Sequence, residues 1–268
     1  MTTVRSADGT AIAFTRAGHG PALILVDGAL CSRSFGPSAK LAARLTPHFT
    51  VYTYDRRGRG DSGDTPPYSP EREVEDIEAL VALAGQGEPV YVAGTSSGAA
   101  LALDAAGGIP AIGKLALYEP PFIVDDTRPA IPDDYLARLN RLLAEGRRGD
   151  AVKMFMHFVG TPAFATAIMP CTPVWSKLKA VAHTLPYDIS IVQDHQRGTP
   201  LSSSEWAAVK APTLVAAGGK SPVWMTNATR ALADALPDAT YRTLPGQTHI
   251  VKPQVLAPAL TEFFSAAS

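Results

Sequence analysis

The run VYVAGTSSGAALALDAA, from Val90 to Ala106, decides the fold. Its opening, Val90 to Ala93, is apolar on both faces and reads as a buried strand, while the Ala- and Leu-rich stretch from Ser97 to Ala106 reads as a helix. Between them stands Gly94-Thr95-Ser96-Ser97-Gly98, a G-x-S-x-G. A sharp strand-to-helix turn of this kind lifts its central serine clear of the backbone, which makes Ser96 a candidate nucleophile. Such a turn is crowded by its own strand and helix, so small residues are needed two before and two after, a need that Gly94 and Gly98 meet. The turn also leaves the Ser97 N–H at a helix start, where its partial positive charge can stabilise a developing oxyanion.

Outward from this run, strands and helices take turns. Residues 2 to 16 read as two short strands around Asp8-Gly9, a dipeptide suited to a tight hairpin. Ala22 to Val26 and Phe49 to Tyr54 are apolar runs ended by Asp27-Gly28 and by Asp55 with a Gly-rich turn, and both read as buried parallel strands. Ser69-Pro70 opens a helix whose apolar face is Val74, Ile77, Leu80 and Val81, stopped at Gly85. Lys114 to Tyr118, Thr213 to Ala217 and Thr240 to Leu244 read as further strands, and Met225 to Leu236 as a helix. The alternation predicts a mainly parallel α/β sheet. From Glu119 to about Ala211 strand signals vanish, replaced by amphipathic stretches such as Tyr135, Leu136, Leu139, Leu142 and Leu143 ending at Gly146, which read as a helical insertion.

Composition narrows the function. A chain of 268 residues that is 46% hydrophobic builds a core without disulfide or metal staples. The 24 Lys and Arg balance 25 Asp and Glu, leaving no electrostatic footprint for nucleic acid or an anionic membrane. The opening residues lack the pattern of a secretory leader and no apolar run is long enough to span a bilayer, so a soluble, cytoplasmic protein is expected. Cys31 and Cys171 stand far apart without metal-ligand spacing and read as ordinary reduced thiols. Gly58-Arg59-Gly60-Asp61-Ser62-Gly63 satisfies G-x-G-x-x-G, but Asp64-Thr65-Pro66-Pro67 follows where a dinucleotide site needs a helix start. No cofactor and no metal is expected.

With the elbow, two further segments carry a resemblance to the α/β-hydrolase superfamily over essentially the whole chain. Relatives carry D-x-R-G-x-G-x-S, present here as Asp55-Arg56-Arg57-Gly58-Arg59-Gly60-Asp61-Ser62, and a late Gly-x-x-His, present as Gly246-Gln247-Thr248-His249. The resemblance implies an α/β fold with a mainly parallel eight-stranded sheet, helices on both faces, and a helical cap inserted after the sixth strand. Residues 1–121 and 211–268 would form the core and 122–210 the cap. It further implies a Ser nucleophile, an acid and a His base in that chain order, with an oxyanion hole.

His249 is the best base among six histidines, because it follows the last strand, where a loop can lean its ring over the sheet edge. The acid departs from the commonest pattern. Alignment on the glycines places Ser221 where most relatives have Asp, and Ser cannot carry the charge that steadies an imidazolium. Some dehalogenase-like members take the acid from the end of the preceding strand, which here ends at Glu119, so Glu119 is the expected acid, with Asp125 or Asp126 next and a Ser–His dyad last. Ala29 and Ser97 are the expected oxyanion donors; Asp27, where relatives usually have His, would disfavour an anion unless it points away.

The cap supplies Met154, Phe155, Met156, Phe158, Phe164, Met169 and Trp175, and Trp224 and Met225 follow the Thr213 to Ala217 strand; most should pack, and a minority should line an apolar pocket. The expected function is a serine hydrolase of a small apolar carboxylic ester or lactone, working through an acyl-Ser96 intermediate. Two alternatives stay open. One is another reaction on the same fold, such as C–C hydrolysis, peracid formation, acyl transfer or cyclisation; the other is a non-catalytic small-molecule binder.

Overall fold

The computed structural model describes residues 2–266. Eight strands form one sheet: β1 (Thr2–Arg5), β2 (Ala11–Gly18), β3 (Ala22–Val26), β4 (Thr50–Tyr54), β5 (Val90–Thr95), β6 (Ile112–Tyr118), β7 (Thr213–Gly218) and β8 (Ala239–Leu244). Their spatial order is β1-β2-β4-β3-β5-β6-β7-β8. β1, β2 and β4 pair antiparallel and every other neighbour pairs parallel, as the alternating pattern predicts. Five helices flank the sheet: α1 (Ser38–Leu45), α2 (Pro70–Gly85), α3 (Ser97–Gly108), α9 (Val223–Ala235) and α10 (Pro253–Ser265). Between β6 and β7 the chain forms no strand, and its regular elements are the helices α4 (Tyr135–Ala144), α5 (Arg148–Phe158), α6 (Ala163–Ile168), α7 (Val174–Ala180) and α8 (Leu185–Val192), with three short 3-10 turns.

The two-residue period of a strand explains the layering. Ile24 and Val26 join Val92, Leu115 and Val215 against α2, α3 and α9, whereas Leu23 and Leu25 join Val51, Ala93 and Leu214 against α1 and α10. Both faces are covered, which is why β4 and β7 are buried at every position. A third cluster belongs to the helical segment, where Leu139, Val152, Leu178, Leu185 and Ile189 pack with Leu30 of the core. Lys114 is buried in β6 and donates to the terminal carbonyls of α10, where a cation complements the helix dipole.

The topology fixes where a site can form. From β3 the chain turns to β4 on one side, while β5, the other neighbour of β3, leads on to β6, so the loops after β3 and β5 diverge and leave a crevice at the carboxyl edge. Gly28 follows β3 and Ser96 follows β5.

Candidate active site

Ser96 sits at φ 55°, ψ −130°, a region L-residues rarely adopt, with its N–H donating to the Tyr118 carbonyl at 2.9 Å. Glycine spacing makes this turn possible. A Cβ on Gly94 would lie 2.4 Å from the Gly98 carbonyl, and one on Gly98 would lie 2.4 Å from that of Val26, both of them backbone atoms. The loop after β3 closes on the same point: a Cβ on Gly28 would lie 2.9 Å from Ser96 Cβ and 3.5 Å from its Oγ. Ala29 follows in that loop, and Ser97 begins α3, where a first-turn N–H has no partner within the helix.

His249 stands in the loop after β8. Tyr118 Oη donates to the Thr248 carbonyl at 2.7 Å, and Lys252 N–H to Gln247 Oε1 at 3.1 Å, so the loop is tied on both sides of the ring. His249 Nε2 lies 3.1 Å from Ser96 Oγ, and Nδ1 lies 2.9 Å from Glu119 Oε2. Glu119 is 0% exposed at the end of β6 with φ +47°, and its other oxygen, Oε1, accepts the Gly218 N–H at 2.6 Å. A carboxylate can only accept, so Nδ1 carries the ring proton and Nε2 is left with a lone pair facing the Ser96 hydroxyl. The arrangement can take a proton from Ser96 and hold the resulting imidazolium against a buried negative charge.

The other candidate acids lie elsewhere. Asp125 accepts from Thr127 and from Asn227 Nδ2, Asp126 is exposed, and Ser221 Oγ is buried without a hydrogen-bond partner. Asp27 is buried, with Oδ2 3.3 Å from where a Cβ on Gly36 would stand. Burial pushes its pKa up to about 6 against the opposing pull of Ser38, Arg59 and Arg56. Arg33 pairs with Asp55 and Asp61, which gives it a structural task. Among the described residues no group of three or more His, Cys, Asp or Glu side chains is placed to hold a metal ion, and no helix is long and apolar enough to cross a membrane.

The sequence reading passes over one residue that reaches this site. Asp188 of α8 accepts Ser97 Oγ at 2.7 Å, Arg56 Nη1 at 2.7 Å and Arg59 Nη2 at 2.7 Å, all buried. Its signal was a lone acid inside the apolar run Leu185–Val192, where a charge must find partners.

The model of the alpha/beta hydrolase family matches residues 17–259. An alpha/beta hydrolase from Sphaerobacter thermophilus is 52% identical, superposes with a TM-score of 0.89, and the match covers 98% of this chain and all of that one. A pimeloyl-[acyl-carrier protein] methyl ester esterase from Xylella fastidiosa is 27% identical over 76% of this chain and 90% of its own. The enol-lactonase from Burkholderia xenovorans LB400, at 22% identity and TM-score 0.69 over 99% of this chain and all of that one, shares the fold. Matched from the second strand to within the last helix, and over nearly its full length by a close relative, the chain belongs to the alpha/beta hydrolase family and is an enzyme of the hydrolase class.

Proposed function

We propose that this hydrolase cleaves small apolar carboxylic esters or lactones through an acyl-Ser96 intermediate, with residues 122–210 acting as a cap over the site. One observation carries the reading: Ser96, His249 and the fully buried Glu119 form a single hydrogen-bonded chain at 3.1 and 2.9 Å. His249 Nε2 takes the Ser96 proton as Oγ attacks the carbonyl carbon, and Glu119 steadies the imidazolium. The tetrahedral oxyanion accepts the N–H groups of Ala29 and Ser97. His249 returns the proton to the departing alcohol oxygen, which leaves as a separate product from an ester and stays tethered from a lactone. Water then loses a proton to the same nitrogen, attacks the acyl carbon and releases the acid with Ser96 restored.

Ile250, the residue after His249, leaves an apolar side chain 83% exposed, which supports an apolar substrate. The esterase and enol-lactonase relatives act on bonds of this class by name, which is consistent with the reading.

Intact-protein mass after exposure to a fluorophosphonate tests it without knowledge of the substrate. One phosphonyl adduct is expected on the native protein, with none on Ser96→Ala and almost none on His249→Ala. An unlabelled but folded protein, or a label that survives Ser96→Ala, removes the proposal.

A further inference from the structure

Four buried charges join the helical segment to the two loops that flank Ser96. Arg59 is 1% exposed, and each of its three side-chain nitrogens donates inward: Nη1 to the Gly28 carbonyl at 2.8 Å, Nη2 to Asp188 at 2.7 Å and Nε to Thr184 Oγ1 at 3.1 Å. Arg56 holds Glu73 through two bonds of 2.6 and 2.7 Å, Asp188 at 2.7 Å and the Asp27 carbonyl at 3.3 Å. Two cations meet two carboxylates, and the buried Asp27 carboxyl also feels both guanidinium groups.

The carbonyl that Arg59 grips is not an arbitrary one. The C=O of Gly28 and the N–H of Ala29 belong to one planar trans peptide and point in opposite directions, so fixing the oxygen fixes the direction of the N–H. A guanidinium on that oxygen also draws electron density along the peptide and strengthens the N–H as a donor. The second donor is held from the same source, since the Ser97 hydroxyl donates to Asp188 Oδ1 at 2.7 Å and anchors the residue whose N–H opens α3.

We infer that Asp188, carried by the helical segment, is a positioning residue for the oxyanion site: it orients the Ala29 N–H through Arg59 and the Ser97 N–H through its own bond to that side chain. The inference rests on the reading of Ser96 as nucleophile and of Ala29 and Ser97 as its donors. A purely structural tie between segment and core would need neither the Gly28 carbonyl nor the Ser97 hydroxyl.

The test compares Asp188→Asn and Arg59→Lys with Asp76→Asn, which breaks a buried ion pair to Arg57 that touches neither loop. A fluorophosphonate, whose adduct carries a tetrahedral phosphorus with its phosphoryl oxygen in the place of the oxyanion, is the probe, and p-nitrophenyl acetate the turnover substrate. Asp188→Asn and Arg59→Lys are expected to slow phosphonylation by about 10- to 100-fold, the scale of a misplaced donor, and to lower kcat with KM and the midpoint of the acid limb of the pH profile unchanged. Asp76→Asn should lower the thermal midpoint and leave both rates at the native level. Native phosphonylation rates in both site variants, or an equal loss in Asp76→Asn, overturn the inference. If Asp188→Asn does not fold, Arg59→Lys, which keeps the charge but donates from a single nitrogen in place of a three-nitrogen fork, is judged by the same criteria. A native protein that takes no label at all would instead remove the reading of Ser96.

Discussion

Glu119 has both carboxylate oxygens committed, one to the His249 ring and one to the Gly218 N–H, and neither reaches water. Glu119→Gln separates these two tasks. An amide can still accept from Gly218, so the fold should hold, but its NH2 turned to His249 favours the ring tautomer with Nε2 protonated, which cannot accept the Ser96 proton. Turnover of p-nitrophenyl acetate should fall about 10³- to 10⁴-fold with the thermal midpoint nearly unchanged. Asp125→Asn should keep native turnover; equal loss there, or none in Glu119→Gln, would displace Glu119 as the acid. Part of this was legible beforehand. The end of β6 was readable from Leu115, Ala116 and Leu117, so Glu119 could be placed on the right edge of the sheet. That its side chain turns to the ring could not, because it depends on the Gly218 N–H from a strand almost a hundred positions later.

At the scale of elements, the strand-turn-helix around Ser96 is tight against backbone, which does not yield. Gly94→Ala and Gly98→Ala would each bring a methyl carbon to about 2.4 Å from a carbonyl oxygen, and each should cost about 1–3 kcal/mol or more in urea denaturation. Gly108→Ala, where a Cβ meets nothing within 4 Å, should stay within about 0.5 kcal/mol of the native protein. Equal stability in all three would mean that the turn is looser than its geometry. Most elements could be read because each carried its own pattern: β3, β4, β5 and β7 as apolar runs, α2 from Pro70 and its spaced apolar face. The elements that escaped have weak local signals. α1 is eight residues long with only Leu41 and Leu45 as buried apolar anchors, and the helical segment is broken by Pro162, Pro170, Pro173 and Pro186 into pieces too short for a clear period.

Stability belongs to the whole molecule, and here it is coupled to a charge cluster in the interior. Arg56, Arg57 and Arg59 are all buried, matched by Glu73, Asp76, Asp188 and Asp8. For Asp188, burial is outweighed by Arg59, Arg56 and the Ser97 hydroxyl, so its pKa falls below the usual value. Asp27 goes the other way. Its folded pKa of about 6 exceeds the ordinary 3.8, so between these values the folded state binds more protons than the unfolded one and stability declines as pH rises. Above this window the ionised group costs on the order of 3 kcal/mol. Asp27→Asn has no proton to lose. It should therefore exceed the native protein in stability at pH 8 by up to about 3 kcal/mol and lose that advantage by pH 4, read from denaturant midpoints at pH 4, 6 and 8. An advantage independent of pH would sink this account of Asp27.

The helical segment is not a uniform lid on an independent body. α6 contributes no buried residue, whereas α8 is buried along most of its length and supplies Asp188 to the core. For recombination between family members this sets the crossover point. An exchange that takes α4 to α7 from a donor leaves these contacts whole, while one that replaces everything between β6 and β7 strips Arg59 of both Asp188 and the Thr184 hydroxyl, so new specificities are best imported up to Ala180 and no further.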